Sequence, residues 1–240
     1  MSSHANYYTL RKPLFLLEFN MVARTVLPTL GRSFSGENVD ALVADARREF
    51  STLITQFPYI GGKQPFTQFI VFTGMLLALY RVVRAHGRTV EQTGELVYRI
   101  GIDILRSYPA ILRFLFGRGY FSRSHQRRLR KMAADSYLRK YPADYVYDFI
   151  EGDGEIFDYG VDYLECASCK FLARQGAPEL APYLCPVDIL YSEALGWGLT
   201  RTQTLAEGTS RCDFRFKQGG PTKVAVPVSM RSVIAQDLQP

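Results

Sequence analysis

The 240-residue chain is poor in histidine: His4, His86 and His125 are the only three, and none follows position 125. A Ser–His or Cys–His pair in the C-terminal half would need its imidazole from far away in sequence. Cysteine is also sparse, with four residues. The first residues, MSSHANYYTLRKP, lack the apolar core of a secretory signal. Together these point to a cytoplasmic, reducing setting and to free thiols or a thiol site, not a disulfide scaffold. No glycine-rich phosphate loop, dinucleotide fingerprint or His-Glu-x-x-His motif occurs, so nucleotide and zincin chemistry have no anchor and no cofactor is expected. The longest apolar run, Phe69 to Leu79, falls short of the roughly 20 residues that span a bilayer. It reads as buried helix, and no membrane span is expected.

What remains is an ordinary globular composition, 47% apolar and 22% charged, with a net charge of +6. That excludes general disorder and a fibrous chain. The pattern divides into unlike parts: a helical region over 1–140, an α+β motif region over 141–217 that carries the cysteines, and a loosely held tail over 218–240. All three are expected in one compact domain.

In the first part, Leu14, Leu17, Met21 and Thr25 share a helix face that Pro28 and Gly31 end. Glu37 to Phe57 forms a second helix. Pro65 to Ala85, apolar on nearly every side, forms a central third. Thr89 caps a fourth, which Pro109 interrupts near its end. Residues 119–141 gather Arg123, Arg127, Arg128, Arg130, Lys131, Arg139 and Lys140. A basic helix can bind nucleic acid or an anionic membrane. Leu129, Met132 and Leu138 leave it a narrow buried stripe, and no nucleic-acid signature accompanies it. The solvated helix face is the plainer reading, so no nucleic-acid partner is expected.

From Asp144 the residues alternate. Two strands flank the turn at 151–155, a short helix runs from Ala167 to Gln175, and another from Pro186 to Gly196. A second hairpin pairs Leu199–Ala206 with Arg211–Lys217. The fold class is α+β: an N-terminal helical bundle packed with a C-terminal antiparallel sheet and short helices.

The chemistry-bearing candidates lie in this part. Cys185 precedes Pro186, and proline favours the first helical position. That makes Cys185 an N-cap, where amide groups and the helix dipole lower a thiol pKa. Asp188, three residues on, either opposes this charge or bonds back to the Cys185 amide in imitation of a capping box. Cys166 and Cys169 form a C-x-x-C at a strand-to-helix junction. With Cys185 and Cys212 they could make a four-thiolate metal site, although alternation puts Cys212 on the face of Phe214 and Phe216, as core. Arg201 either binds an anion among apolar groups or lies on a solvated face. Asp148, Asp158 and Asp162 fit a solvated sheet face better than a carboxylate cluster.

The segments Cys166-Ala-Ser-Cys-Lys-Phe171, Gly176-Ala-Pro-Glu-Leu180, Cys185-Pro-Val-Asp188, Arg201-Thr-Gln-Thr204-Leu-Ala-Glu-Gly208 and Cys212-Asp-Phe-Arg-Phe216 resemble the L-2-amino-thiazoline-4-carboxylic acid hydrolase family. The likeness covers about 140–217, with a more distant one to the 4-vinyl reductase domain. It implies a hydrolase that opens a small cyclic amidine toward a carbamoyl-cysteine type product, in keeping with a biosynthetic pathway. It carries over Cys166, Cys185, Asp188, Arg201, Thr204, Gly208, Cys212 and Asp213 as motif positions. Cys169 is extra to the pattern, which argues against a metal at the C-x-x-C.

The residues then suggest a mechanism. A Cys185 thiolate attacks the amidine carbon, Asp188 holds the amidinium, and Arg201 binds the substrate carboxylate. Asp213 or Glu207 relays protons, and Thr204, Cys166 and Cys212 line the substrate site. The competing readings are a small-molecule binding or sensor module without catalysis, and a four-cysteine metal-stabilised protein. The partner expected is a small-molecule substrate, with self-association left open.

Overall fold

The computed structural model describes residues 6–62 and 66–237. The first helix, α1 (Tyr7–Ser33), runs through both Pro13 and Pro28 instead of stopping at the second. Each proline removes one backbone donor. Val26, Thr29, Leu30 and Phe34 are buried around Pro28, and their packing carries the helix across it. The expected stripe faces outward, with Leu14, Leu17 and Met21 all exposed. Both faces of α1 are apolar, and the one bearing Tyr8, Phe15 and Phe19 has more area to bury.

The next helix, α2 (Val39–Leu53), is capped by Asn38, whose side chain accepts from the Ala41 amide at 3.0 Å. Its buried residues Leu42, Ala46, Phe50 and Leu53 follow the helical period. Central helix α3 (Phe66–Ala85) is buried on most sides, as its sequence requires; its expected first residue, Pro65, lies outside the described residues. Gly74 lets the Phe57 ring reach the α3 backbone, since a Cβ there would sit 2.2 Å from the ring. Helix α4 (Val90–Ser107) opens with a Thr89–Gln92 capping box. Pro109 does not interrupt α4 but stands as N-cap of α5 (Ala110–Tyr120). The basic run forms α6 (Arg123–Ser136), capped by Ser122.

The β-hairpin β1 (Val146–Glu151) and β2 (Tyr159–Glu165) leads into α7 (Ala167–Arg174), the single turn α8 (Ala181–Leu184) and α9 (Val187–Leu195). β3 (Leu199–Arg201), β4 (Cys212–Phe216) and β5 (Lys223–Val224) follow, and α10 (Arg231–Asp237) comes last. The sheet order is β1-β2-β4-β3-β5. The β5–β3 pair is parallel, so the sheet is mixed where an antiparallel one was expected.

Among the described residues the tail is not loose. Met230, Val233 and Ile234 are buried with Tyr98, Leu105 and Ile189. Nor do the helices core separately from the sheet, because one apolar cluster joins Phe50, Phe57, Ile70 and Leu77 to Tyr147, Phe171, Leu180 and Leu199. Phe57 meets Phe171 edge to face at 5.3 Å, and Phe66 stacks on Tyr145 at 4.7 Å.

The acidic residues of the first hairpin form a paired ladder, neither a free cluster nor a plain solvated face. Asp148, Asp162 and Asp213 are cross-strand neighbours. Asp162 is buried between Arg211 and Arg215. Asp148 accepts from the Tyr137 hydroxyl at 2.6 Å, and Asp158 pairs with Lys217 at 3.2 Å.

Candidate active site

β2 turns directly into α7, and Cys166 is the N-cap residue at that corner, with extended backbone. Lys170 locks the corner: its ammonium donates to the carbonyls of Pro142 at 3.0 Å and Asp144 at 2.9 Å, and to the Glu165 carboxylate. No short linear amide bond closes the cap. The Cys169 thiol, one turn on, favours the Cys166 thiolate most. Burial opposes it, and the amides of Cys169 and Ser168 add to the favourable side, so the Cys166 thiol pKa falls below its usual value. The charged sulfur in turn, together with burial, drives the Cys169 thiol far up, so Cys169 keeps its proton. A thiol biased toward its charged form and a thiol biased toward its protonated form therefore sit side by side.

Cys185 does not occupy the position its sequence suggests. Pro186 is the N-cap of α9, and Cys185 lies just past α8 in helical conformation, with φ −62° and ψ −31°. The chain passes from helix to helix with no extended residue between them, so the sulfur never meets the α9 amides. It donates back to the Ala181 carbonyl at 3.7 Å. Burial raises its pKa well above the ordinary value, with Arg201 pulling the other way.

Arg201 is almost fully buried, with 1% of its side chain exposed. Its guanidinium pairs with the Asp188 carboxylate and donates to the carbonyls of Cys185 at 3.4 Å and Ala225 at 3.2 Å. It also lies over the Phe214 ring at 5.3 Å. The anion this arginine binds is Asp188, so the guanidinium is not held open for a substrate carboxylate as expected. Asp188 keeps 32% of its side chain exposed, yet burial raises its pKa against the pull of Arg201. Asp188 thus has the buried Arg201 on one side and solvent on the other. Cys166, Cys169 and Cys185 are likewise half-buried, and all four cysteines are free.

The fourth thiol, Cys212, is buried. Its sulfur accepts from the Leu205 amide at 3.2 Å, and burial pushes its pKa up to about 11. The four sulfurs lie within electrostatic reach of one another, and those of Cys166, Cys185 and Cys212 also of Asp188 or Arg201. Among the described residues no group of three or more His, Cys, Asp or Glu side chains is disposed to hold a metal ion.

The proposed proton relays fall elsewhere. Asp213 accepts from the amides of Thr202 and Gln203, both at 2.9 Å, and from the Thr202 hydroxyl at 2.6 Å. Burial works against its ionisation, but these bonds outweigh it and lower the pKa. Those bonds end β3 after Arg201, which is why the expected second hairpin is short on one side. Thr204 caps the following turn: its oxygen accepts from the Glu207 amide at 3.2 Å and its hydroxyl donates to the Glu207 carboxylate at 3.0 Å. Glu207 and Gly208 are exposed and Thr204 is buried. This trio shapes the β3–β4 connection, and its turn touches the thiols through the Leu205 amide on the Cys212 sulfur.

Sequence reasoning missed Tyr145, Ser168, Tyr163 and Phe214 around the thiols and Arg201. Ser168 bridges the Tyr145 hydroxyl at 3.0 Å and the Thr73 hydroxyl at 2.8 Å, linking α7 to α3. The cap position of Cys166, by contrast, was already implied by a helix that starts at Ala167. Two surface clefts lie away from this centre. One, of about 520 Å³, is lined by Thr9, Lys12, Asn20 and Arg47; the other, of about 300 Å³, by Thr29, Arg32, Arg99 and Asp103. Neither contains a cysteine.

No curated protein and no solved structure matches the chain. The family model for L-2-amino-thiazoline-4-carboxylic acid hydrolase matches residues 68–216, from the start of α3 to the end of β4. That span takes in all four cysteines, Asp188 and Arg201, and more than half of the chain, which belongs to the L-2-amino-thiazoline-4-carboxylic acid hydrolase family.

Proposed function

We propose that the protein is a thiol hydrolase that opens a small, amino-acid-derived cyclic amidine of the thiazoline type, with Cys166 as its nucleophile. The observation that carries this reading is the placement of Cys166 at the N-cap position of α7, one turn from Cys169 and within electrostatic reach of Asp188, where its thiol pKa is drawn below the ordinary value. Cys185, the nucleophile expected from the sequence, has the opposite electrostatics.

The Cys166 thiolate adds to the ring carbon between sulfur and nitrogen. The ring C–S bond then breaks, and the departing sulfur takes a proton from the neighbouring Cys169 thiol. This leaves a thioimidate on Cys166 and a free thiol on the substrate. The carboxylate of Asp188 accepts a hydrogen bond from the amino group of the neutral amidine and so places the carbon against the sulfur. Water adds to the thioimidate carbon, and Cys166 leaves as thiolate. One proton from that water returns to Cys169 and the other stays on the product nitrogen. The balance is substrate plus water giving an N-carbamoyl amino acid with a free thiol.

Turnover of 2-amino-thiazoline-4-carboxylic acid is followed by the thiol it releases. Wild type is expected to release thiol, and Cys166→Ser to lose at least a thousand-fold in kcat. Cys185→Ser is expected to keep most of the rate. Full activity in Cys166→Ser overturns the assignment.

A further inference from the structure

We infer that α5 and the start of α6 form a docking surface for an anionic lipid bilayer. The first observation is exposed apolar area. On α5, Ile111, Phe114, Leu115 and Phe116 are 62%, 56%, 55% and 61% exposed. Leu112 and, just before the helix, Tyr108 add to the patch. So much contiguous apolar surface marks a binding face.

Helix α5 cannot turn this face inward. Gly117, its one buried residue, meets the α9 backbone so closely that a Cβ would lie 1.9 Å from the Leu195 carbonyl oxygen. Arg113 and Tyr120, half-buried, continue that contact stripe one turn to either side. The rest of the circumference is open.

The second observation is charge. Between Ile104 and Ala134 the chain has eight Arg and Lys residues and no Asp or Glu. The chain as a whole carries +6, so the remainder is slightly negative. Arg118, Arg123, Arg127 and Lys131 are exposed.

Apolar side chains beside the exposed cations Arg118, Arg123, Arg127 and Lys131, with Arg130 paired to Glu151, fit one environment: the boundary between acyl chains and anionic headgroups. A second copy of this chain fits poorly, because a two-fold contact would set the same acid-free segment against itself. A nucleic acid would meet the arginines and leave Ile111, Leu112 and Leu115 with nothing to bury against. This surface is separate from the thiol site and does not depend on the hydrolase reading.

The test is flotation of the full chain with vesicles of phosphatidylcholine alone or with about one-third phosphatidylglycerol. Binding is expected to the mixed vesicles alone and to weaken as salt rises. Phe114→Ser/Phe116→Ser is expected to reduce partitioning by ten-fold or more. Arg123→Gln/Arg127→Gln should lose about five-fold per cation. An unchanged far-UV circular dichroism spectrum and melting temperature show that both variants fold.

No binding to the mixed vesicles at low salt overturns the inference, and so does undiminished binding by the phenylalanine variant. A concentration-dependent dimer that the phenylalanine variant dissolves overturns it in favour of a self-interface. Retention on single-stranded RNA that survives loss of the phenylalanines overturns it in favour of a nucleic-acid site.

Discussion

Replacing Arg201 by methionine tests the electrostatic centre of the site. Methionine keeps the stem over Phe214 and removes the guanidinium. The carbonyls of Cys185 and Ala225 lose their side-chain donor, and Asp188 loses the one cation paired with it. Breaking a buried ion pair from one side costs about 3–5 kcal/mol. Asp188 is 32% exposed, so water and a proton take up part of that loss, and the low end, about 3 kcal/mol, applies. For a chain of this size that lowers the melting temperature by about 6–12 °C.

The pH dependence has a definite sign. Burial already holds the folded Asp188 pKa above its ordinary value, and without Arg201 it rises further. A carboxyl group whose folded pKa is raised contributes most below its unfolded value and loses that contribution as pH climbs through the folded one. The deficit of Arg201→Met should therefore shrink between pH 7 and pH 5, and Asp188→Asn on the same background should recover part of it at pH 7. Thermal melts followed by circular dichroism at the two pH values measure both effects. A deficit under about 1 kcal/mol, equal at the two pH values and untouched by the second substitution, would falsify the account of a buried pair.

Four shorter tests follow. Iodoacetamide should modify Cys166 first, with a rate midpoint below that of a free thiol, while Cys169, Cys185 and Cys212 react only at higher pH; peptide mapping after brief alkylation checks this. Phe171→Ala, at the joint between α7 and Phe57, should cost about 3–5 kcal/mol in urea unfolding. Gly117→Val should lift α5 off α9 and make Arg113 and Arg118 the first tryptic cuts, with little change at the thiols. Burial, then the charge of Arg128, depresses the pKa of His125. The unfolded chain therefore gains a proton first as pH falls below the usual histidine value, and stability should drop there; His125→Phe should flatten that part of the curve.

Much of the architecture was written in local signals. Asn38, the Thr89–Gln92 box, Ser122 and Gly196 each end a helix where the chain chemistry says it should. Where both faces of an element were apolar, as in α1, periodicity could not choose between them, and aromatic area decided. The tail failed for a different reason. β5 has two residues and gains its stability from the β3 edge and the α4–α9 surface, which no local pattern encodes.

At the site, the grouping of Cys166, Cys185, Asp188 and Arg201 was readable from motif order. The backbone setting of Cys185 was not, because it turned on whether residue 185 or 186 began α9. Proline there suggested an N-cap one residue too early. It is compatible with the N-cap as well as with the first helical residue, and α8 running straight into it removed the extended backbone an N-cap thiol needs.

The carbonyl that Ala225 offers to Arg201, and the parallel seating of Arg201 beside Val224, also set an order of events during synthesis. A ribosome releasing this protein exposes the sulfurs and the aspartate well before the last strand. Until that strand leaves the exit tunnel, the arginine lacks one of its anchors. The helices can condense early, but Arg201 gains its full set of partners only once residues 224–225 are in place beside it.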